Sequence, residues 1–122
     1  MGLFRRLRGG GGSRPGRAGL GDLAEGERHL TDFARSRRGV EAYVEPQTTV
    51  TAVTVLLVAG DGEWTRRRVP GVRAAHTLAG KLGIPAYDAA VVGYPQRMRD
   101  YNRRQKEQGE QRAQGEQGEE QG

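Results

Sequence analysis

The chain has 122 residues, 29% charged and 34% hydrophobic, with a formal net charge of +5 and no cysteine. That length fits one small domain, and the missing thiols exclude a disulfide framework, a thiolate zinc site and a redox dithiol. The longest apolar run, Val53 to Ala59 with Thr54 inside it, falls far short of the roughly 20 residues a membrane-spanning helix needs.

The charge is unevenly spread. Residues 1–20 carry five arginines and no acid, and residues 105–122 carry five glutamates against Lys106 and Arg112. Residues 21–104 hold thirteen basic and ten acidic side chains. Both ends are too polar and glycine-rich to bury a core, so the expected organisation is a disordered basic Gly/Arg-rich tail over 1–20, a single domain over 21–104 and a disordered Gln/Glu/Gly-rich tail over 105–122. Gly9 to Gly12 reads as a flexible linker. The basic element Leu3-Phe4-Arg5-Arg6-Leu7-Arg8 allows weak contact with an acidic membrane surface or a nucleic acid, and it lacks the apolar region of a secretory signal. A cytoplasmic location is expected. The remaining segment of about 80 residues buries only some 60–65% of its unfolded surface, which leaves little room for a deep pocket.

In chain order, Asp22 is placed to cap a helix whose apolar positions Leu23, Leu30, Phe33 and Ala34 share a face, with Gly39 as its stop. Val40 to Glu45 alternates, setting Val40, Ala42 and Val44 against Glu41, Tyr43 and Glu45, the pattern of a half-buried strand. After the break at Pro46-Gln47, Thr49 to Ala59 is β-branched and apolar on both faces, as a central strand should be. Gly60-Asp61-Gly62-Glu63 reads as a tight hairpin in which Asp61-Gly62 supplies positive φ angles. In that register Leu57 faces Arg66, Leu56 faces Arg67 and Val55 faces Arg68. Arginine on both faces of the third strand suits a sheet edge.

Val72, Ala75, His76, Ala79 and Leu82 recur at helical spacing until Gly83-Ile84-Pro85. Tyr87 to Val92 reads either as a short fourth strand or as an extended connector. Pro95 suits the first turn of a last helix with Met98 and Tyr101 on one face, ion-pair spacing for Arg97–Asp100 and Asp100–Arg104, and fraying after about Gln105. The fold expected is α+β, a small three-stranded antiparallel meander packed with two or three helices.

Catalytic signatures are thin. His29 and His76 lie on separate helices; the spacing sets His76 on an apolar face, where a hydrogen-bonded core residue is expected, and His29 on a polar stretch. Gly60 and Gly62 form a Gly-x-Gly, yet Trp64 and Arg66 continue it as a strand, so a hairpin explains it better than a dinucleotide turn. Asp61 and Asp88 sit where aspartate serves turn geometry. No catalytic or metal-binding residue and no cofactor is predicted; flavin and nicotinamide stay open.

Binding has more support. Arg66, Arg67, Arg68, Arg97, Arg99, Arg103 and Arg104 suit bidentate grip on phosphate or carboxylate, and Trp64, Tyr94 and Tyr101 lie beside them in sequence. The contact surface expected is Trp64, Arg66, Arg68, Tyr94, Arg97 and Arg99, with a protein or polyanionic partner. The competing reading is that Glu41, Glu45 and Glu63 neutralise the hairpin arginines and Asp100 those of the last helix. The helix–strand–strand–strand–helix order is shared with double-stranded RNA-binding domains, but the second helix opens with Arg73 as its one basic residue where those domains carry a lysine cluster.

Four strings carry a further resemblance: Val40-Glu41-Ala42-Tyr43-Val44-Glu45-Pro46, Thr48-Thr49-Val50-Thr51, Asp61-Gly62-Glu63-Trp64-Thr65-Arg66-Arg67-Arg68 and Gly93-Tyr94-Pro95-Gln96-Arg97-Met98-Arg99-Asp100-Tyr101. Together they cover about half the chain and resemble a group of short actinobacterial proteins of unknown function. Members are sometimes labelled oxidoreductase, so the resemblance implies a redox or redox-accessory role as the alternative to a binding module, and it implies no site residues.

Overall fold

In the computed structural model, the backbone is described from residue 20 to 121 and side chains from 21 to 112. The elements are α1 (Leu20–Ser36), β1 (Glu41–Glu45), β2 (Thr54–Val58), β3 (Trp64–Arg68), α2 (Val72–Leu82), β4 (Ala86–Asp88), the single-turn α3 (Ala89–Val92) and α4 (Gln96–Gln121). The fold is α+β. β1, β2 and β3 form an antiparallel meander, and β4 adds to β1 in parallel, giving a four-stranded sheet in the order β3-β2-β1-β4. Residues 87–92 are thus neither wholly strand nor connector, because Asp88 accepts a hydrogen bond from the Ala90 N–H at 2.8 Å and turns the chain into α3. Except for Leu20, the basic tail expected over 1–20 lies outside the described residues.

Strand alternation gives the sheet two buried faces. On the first, Ala42, Val44, Val55 and Leu57 pack with Leu30 and Phe33 of α1 and Ala75, Leu78 and Ala79 of α2. On the second, Tyr43, Leu56 and Val58 meet Ala89 of α3 and Met98 of α4, with Trp64 and Tyr94 against them. β1 is therefore buried on both sides instead of one: Tyr43 is covered because α3 and α4 return across a face the alternation leaves to solvent. α2 links β3 to β4 across the first face and ends at Gly83 (φ 70°), where the Ile84 N–H reaches back to the Ala79 carbonyl at 3.1 Å. This left-handed turn needs no Cβ and satisfies the last carbonyls.

Several expectations are corrected. β2 starts at Thr54, not Thr49, because the Thr48 hydroxyl captures the N–H groups of Val50 and Thr51 at 3.2 and 3.0 Å and bends the backbone out of the ladder. α1 begins at Leu20, so Asp22 lies in its first turn and does not cap it. His76 is exposed, and Leu78 takes the core position expected of it. α4 runs past Gln105 to Gln121, with every side chain from Gln105 to Arg112 exposed. Its Gln, Glu, Lys and Arg residues are good helix formers and offset scattered glycines.

The register of the β2–β3 hairpin is shifted by one residue. Leu57 faces Thr65, Leu56 faces Arg66, Val55 faces Arg67 and Thr54 faces Arg68. The loop is Gly60-Asp61-Gly62, closed by the Ala59 N–H on the Glu63 carbonyl at 2.8 Å, with Gly62 at φ 94°. A three-residue loop moves every β3 side chain to the opposite face from that set by a two-residue turn. Arg66 consequently lies on the same face as Glu45.

Candidate functional site

That shift assembles a polar cluster on the second face. The odd-numbered residues of β1 point there, as do Trp64, Arg66 and Arg68 of β3, and the Gly93-Tyr94-Pro95 turn lowers Tyr94 and the start of α4 onto them. Arg66 grips both oxygens of Glu45, at 2.7 Å from Nε and 2.9 Å from Nη2. Glu45 also accepts from Thr54 Oγ1 at 2.6 Å and from the Tyr94 hydroxyl. One carboxylate thus serves three donors from β2, β3 and the turn before α4.

A second carboxylate does the same work at the other end of β1. Glu41 Oε1 accepts from Arg97 Nη2 at 2.6 Å and from the Tyr43 hydroxyl at 3.0 Å. Arg97 also donates from Nε to the Ala59 carbonyl at 2.9 Å, which anchors α4 to the end of β2. Trp64 Nε1 donates to Asn102 Oδ1 at 2.7 Å, and Arg104 Nη2 to the Asp61 carbonyl at 2.8 Å.

Electrostatics follow from these partners. Burial pushes the Glu45 carboxyl up, but hydrogen bonds from Arg66, Thr54 and Tyr94 outweigh it and hold it below the usual carboxylate value. In Glu41 burial is likewise outweighed, by Arg97 and Tyr43. The Tyr94 phenol is raised by its bond to Glu45 and by burial, and that of Tyr43 by burial and Glu41. Near neutral pH these four groups keep fixed charge states, two carboxylates and two neutral phenols. That suits bracing better than proton transfer.

Of the six residues expected to form a contact surface, Trp64, Arg66, Arg68, Tyr94 and Arg97 share this face, and Arg99 does not. Two positions beyond Arg97 on α4, about 200° around the helix, Arg99 instead bonds Gln96 Oε1 at 3.1 Å. Trp64, Arg66, Tyr94 and Arg97 each bond a partner within the fold, though Arg66 stays 43% exposed, while Arg68 is exposed with no ion pair among the described residues. Neutralisation by acids, the competing reading, holds for Arg66 with Glu45. Glu41 and Glu63 pair elsewhere, Glu41 with Arg97 and Glu63 with Arg37 at 2.7 Å. Asp100 pairs with Arg103 at 2.9 Å, at a spacing not singled out in the sequence.

Three features escaped sequence reasoning. Thr54 and Asn102 carry no signal without the register. His29, on α1, lies 2.6 Å from Thr65 Oγ1, with its basicity lowered by burial and by Arg67 and Arg37 against the opposing pull of Asp32. The third is an apolar ledge beside β4, where Tyr87, Val91 and Val92 are 37%, 78% and 56% exposed. A run of apolar residues signals burial, and only the turn at Asp88 exposes these. Among the described residues no three His, Cys, Asp or Glu side chains come together as a metal site, and no helix is long and apolar enough to cross a membrane. Comparison with family models, curated proteins and solved structures returned no match for this chain.

Proposed function

We propose that this protein is a small non-catalytic binding module that engages a protein partner through the apolar ledge of Tyr87, Val91 and Val92. The observation that carries this reading is the exposure of Val91 and Val92 in a domain whose neighbouring polar cluster is satisfied internally. Exposed apolar side chains gathered on one short strand–helix segment, as these are between Tyr87 and Val92, are a common mark of a protein contact.

A polyanion partner has less support, since Glu45 and Glu41 already occupy Arg66 and Arg97. An oxidoreductase role, the alternative suggested by resemblance, draws little from the aromatic residues: the Tyr43 ring is buried between Tyr87 and Tyr94, with centroids 5.5 and 6.4 Å away.

The test is affinity capture from a native lysate with wild type, Val91→Asp/Val92→Asp and Arg68→Glu. Loss of captured protein in the valine variant alone supports the ledge. Capture that survives in the valine variant overturns it, and loss in Arg68→Glu alone, together with salt-sensitive retention on RNA or DNA, favours the polyanion. A flavin or nicotinamide titration that changes absorbance or melting temperature favours the redox role.

A further inference from the structure

We infer that the occupant of this ledge is a second copy of the chain, joined through the outer edge of β4; the inference rests on the binding reading above. The two sheet edges differ in how they meet solvent. At β3, three successive arginines line the edge, the Arg67 guanidinium bonds the Arg66 carbonyl at 2.7 Å, and Gly26 of α1 packs beside the Arg68 carbonyl. Charge and coverage of this kind block strand addition.

β4 has neither protection. Among the described elements nothing pairs with its outer side. The Ala42 N–H bonds the Pro85 carbonyl at 2.9 Å, and Ala42, Tyr43 and Val44 register with Ala86, Tyr87 and Asp88. In a parallel ladder that register directs the Tyr87 N–H and C=O to β1, and those of Ala86 away from it. A two-fold axis at Tyr87 would place Ala86 of each copy opposite Asp88 of the other in an antiparallel pair. Tyr87 would then stand beside its counterpart, with the valines of α3 at the margin.

Charge selects the same face for self-contact. From Ile84 to Pro95, Asp88 is the only charged residue in a chain of net charge +5. Contact through the β3 edge would bring arginine against arginine, whereas here each Asp88 meets an alanine. A symmetric contact needs a self-complementary patch, and this one qualifies. The contact would rest on one three-residue strand and a few side chains, so the dimer is a weak one.

Sedimentation of the full chain from ~5 µM to ~1 mM tests the inference. Wild type should shift from monomer to dimer. Ala86→Pro removes an outward N–H and fills the space of the incoming strand while sparing the Tyr87 bonds to β1, and Val91→Asp sets like charges at the apolar margin of the two copies; each should weaken association by about tenfold or more. Arg68→Glu should leave it unchanged. Trp64 emission and melting temperature report whether each variant folds, and Val91→Asp/Val92→Asp stands in if Ala86→Pro does not. A chain that stays monomeric to ~1 mM, or a dimer indifferent to folded ledge variants, overturns the inference. If the monomer still captures another protein through Val91 and Val92, the binding module survives and only the self-contact fails.

Discussion

Arg66 and Glu45 form a two-point clamp across the sheet: β3 and β1 are not neighbours, and the pair reaches over β2 between them. The Glu45 side chain is only 16% exposed, whereas Arg66 at 43% keeps access to water. Replacing Glu45 with alanine removes the shared acceptor of Arg66, Thr54 and the Tyr94 hydroxyl, of which Thr54 and Tyr94 are half-buried. We expect Glu45→Ala to cost about 2–4 kcal/mol in urea denaturation, and Glu45→Gln less. A loss under about 0.5 kcal/mol would place the cluster among surface pairs of little consequence.

The same carboxylates set a pH dependence. Glu41 and Glu45 titrate below 4.5 in the fold because hydrogen bonds and positive charge outweigh burial. A depressed folded value means that the unfolded chain binds protons first, so this stability is present above the unfolded pKa and lost as pH falls through the folded one. Melting temperature should drop as pH is lowered beneath about 4.5, and Glu45→Gln should flatten that limb. An identical acid limb in the variant would contradict the assignment.

Gly62 is held where no other residue fits. A Cβ there would stand 2.0 Å from the Arg97 carbonyl oxygen, 2.7 Å from its carbon and 2.9 Å from Tyr101 Cβ, at φ 94°. Both the backbone conformation and the helix behind it oppose a side chain. Gly62→Ala should destabilise by about 2–4 kcal/mol. Gly80 in α2 has nothing within 4 Å of such a Cβ, and Gly80→Ala should stabilise by about 0.5–1 kcal/mol. Equal effects in chemical denaturation would refute the close approach of α4 to the hairpin.

Trp64 is the chain's single tryptophan, and its indole N–H is fixed by Asn102 on α4. Its fluorescence therefore reports docking of that helix. Asn102→Ala should red-shift the emission and cost about 1 kcal/mol, while the far-ultraviolet circular dichroism stays close to that of wild type. Unchanged emission would mean that the indole does not depend on α4.

Much of this architecture was legible because local pattern and tertiary fold agree. Glu41 to Glu45 alternates, and its two sides became the two faces; Gly83 stops α2 where expected. The misses came where a decision depended on atoms far apart in sequence. The hairpin could close with two or three loop residues, and Gly62 accepts a positive φ in either, so the choice between the Leu56 and Leu57 faces for Arg66 belonged to packing. His76 and Leu78 are both compatible with helical spacing, and the contact of α2 with the sheet selected Leu78. The arginines and aromatics of the proposed surface were seen as a group, but whether they faced solvent or Glu41 and Glu45 depended on that same register.

The fastening of α4 also dictates an order of assembly. Arg97 must find Glu41 across 56 residues, and Asn102 must find Trp64 across 38, whereas β2 and β3 meet through a loop of three. Contacts that close long stretches of chain form late. During synthesis β1, β2 and β3 emerge before any residue of α4, so the nascent sheet must wait with Tyr43, Leu56 and Val58 uncovered. That interval is when the young polypeptide is most exposed to misassociation.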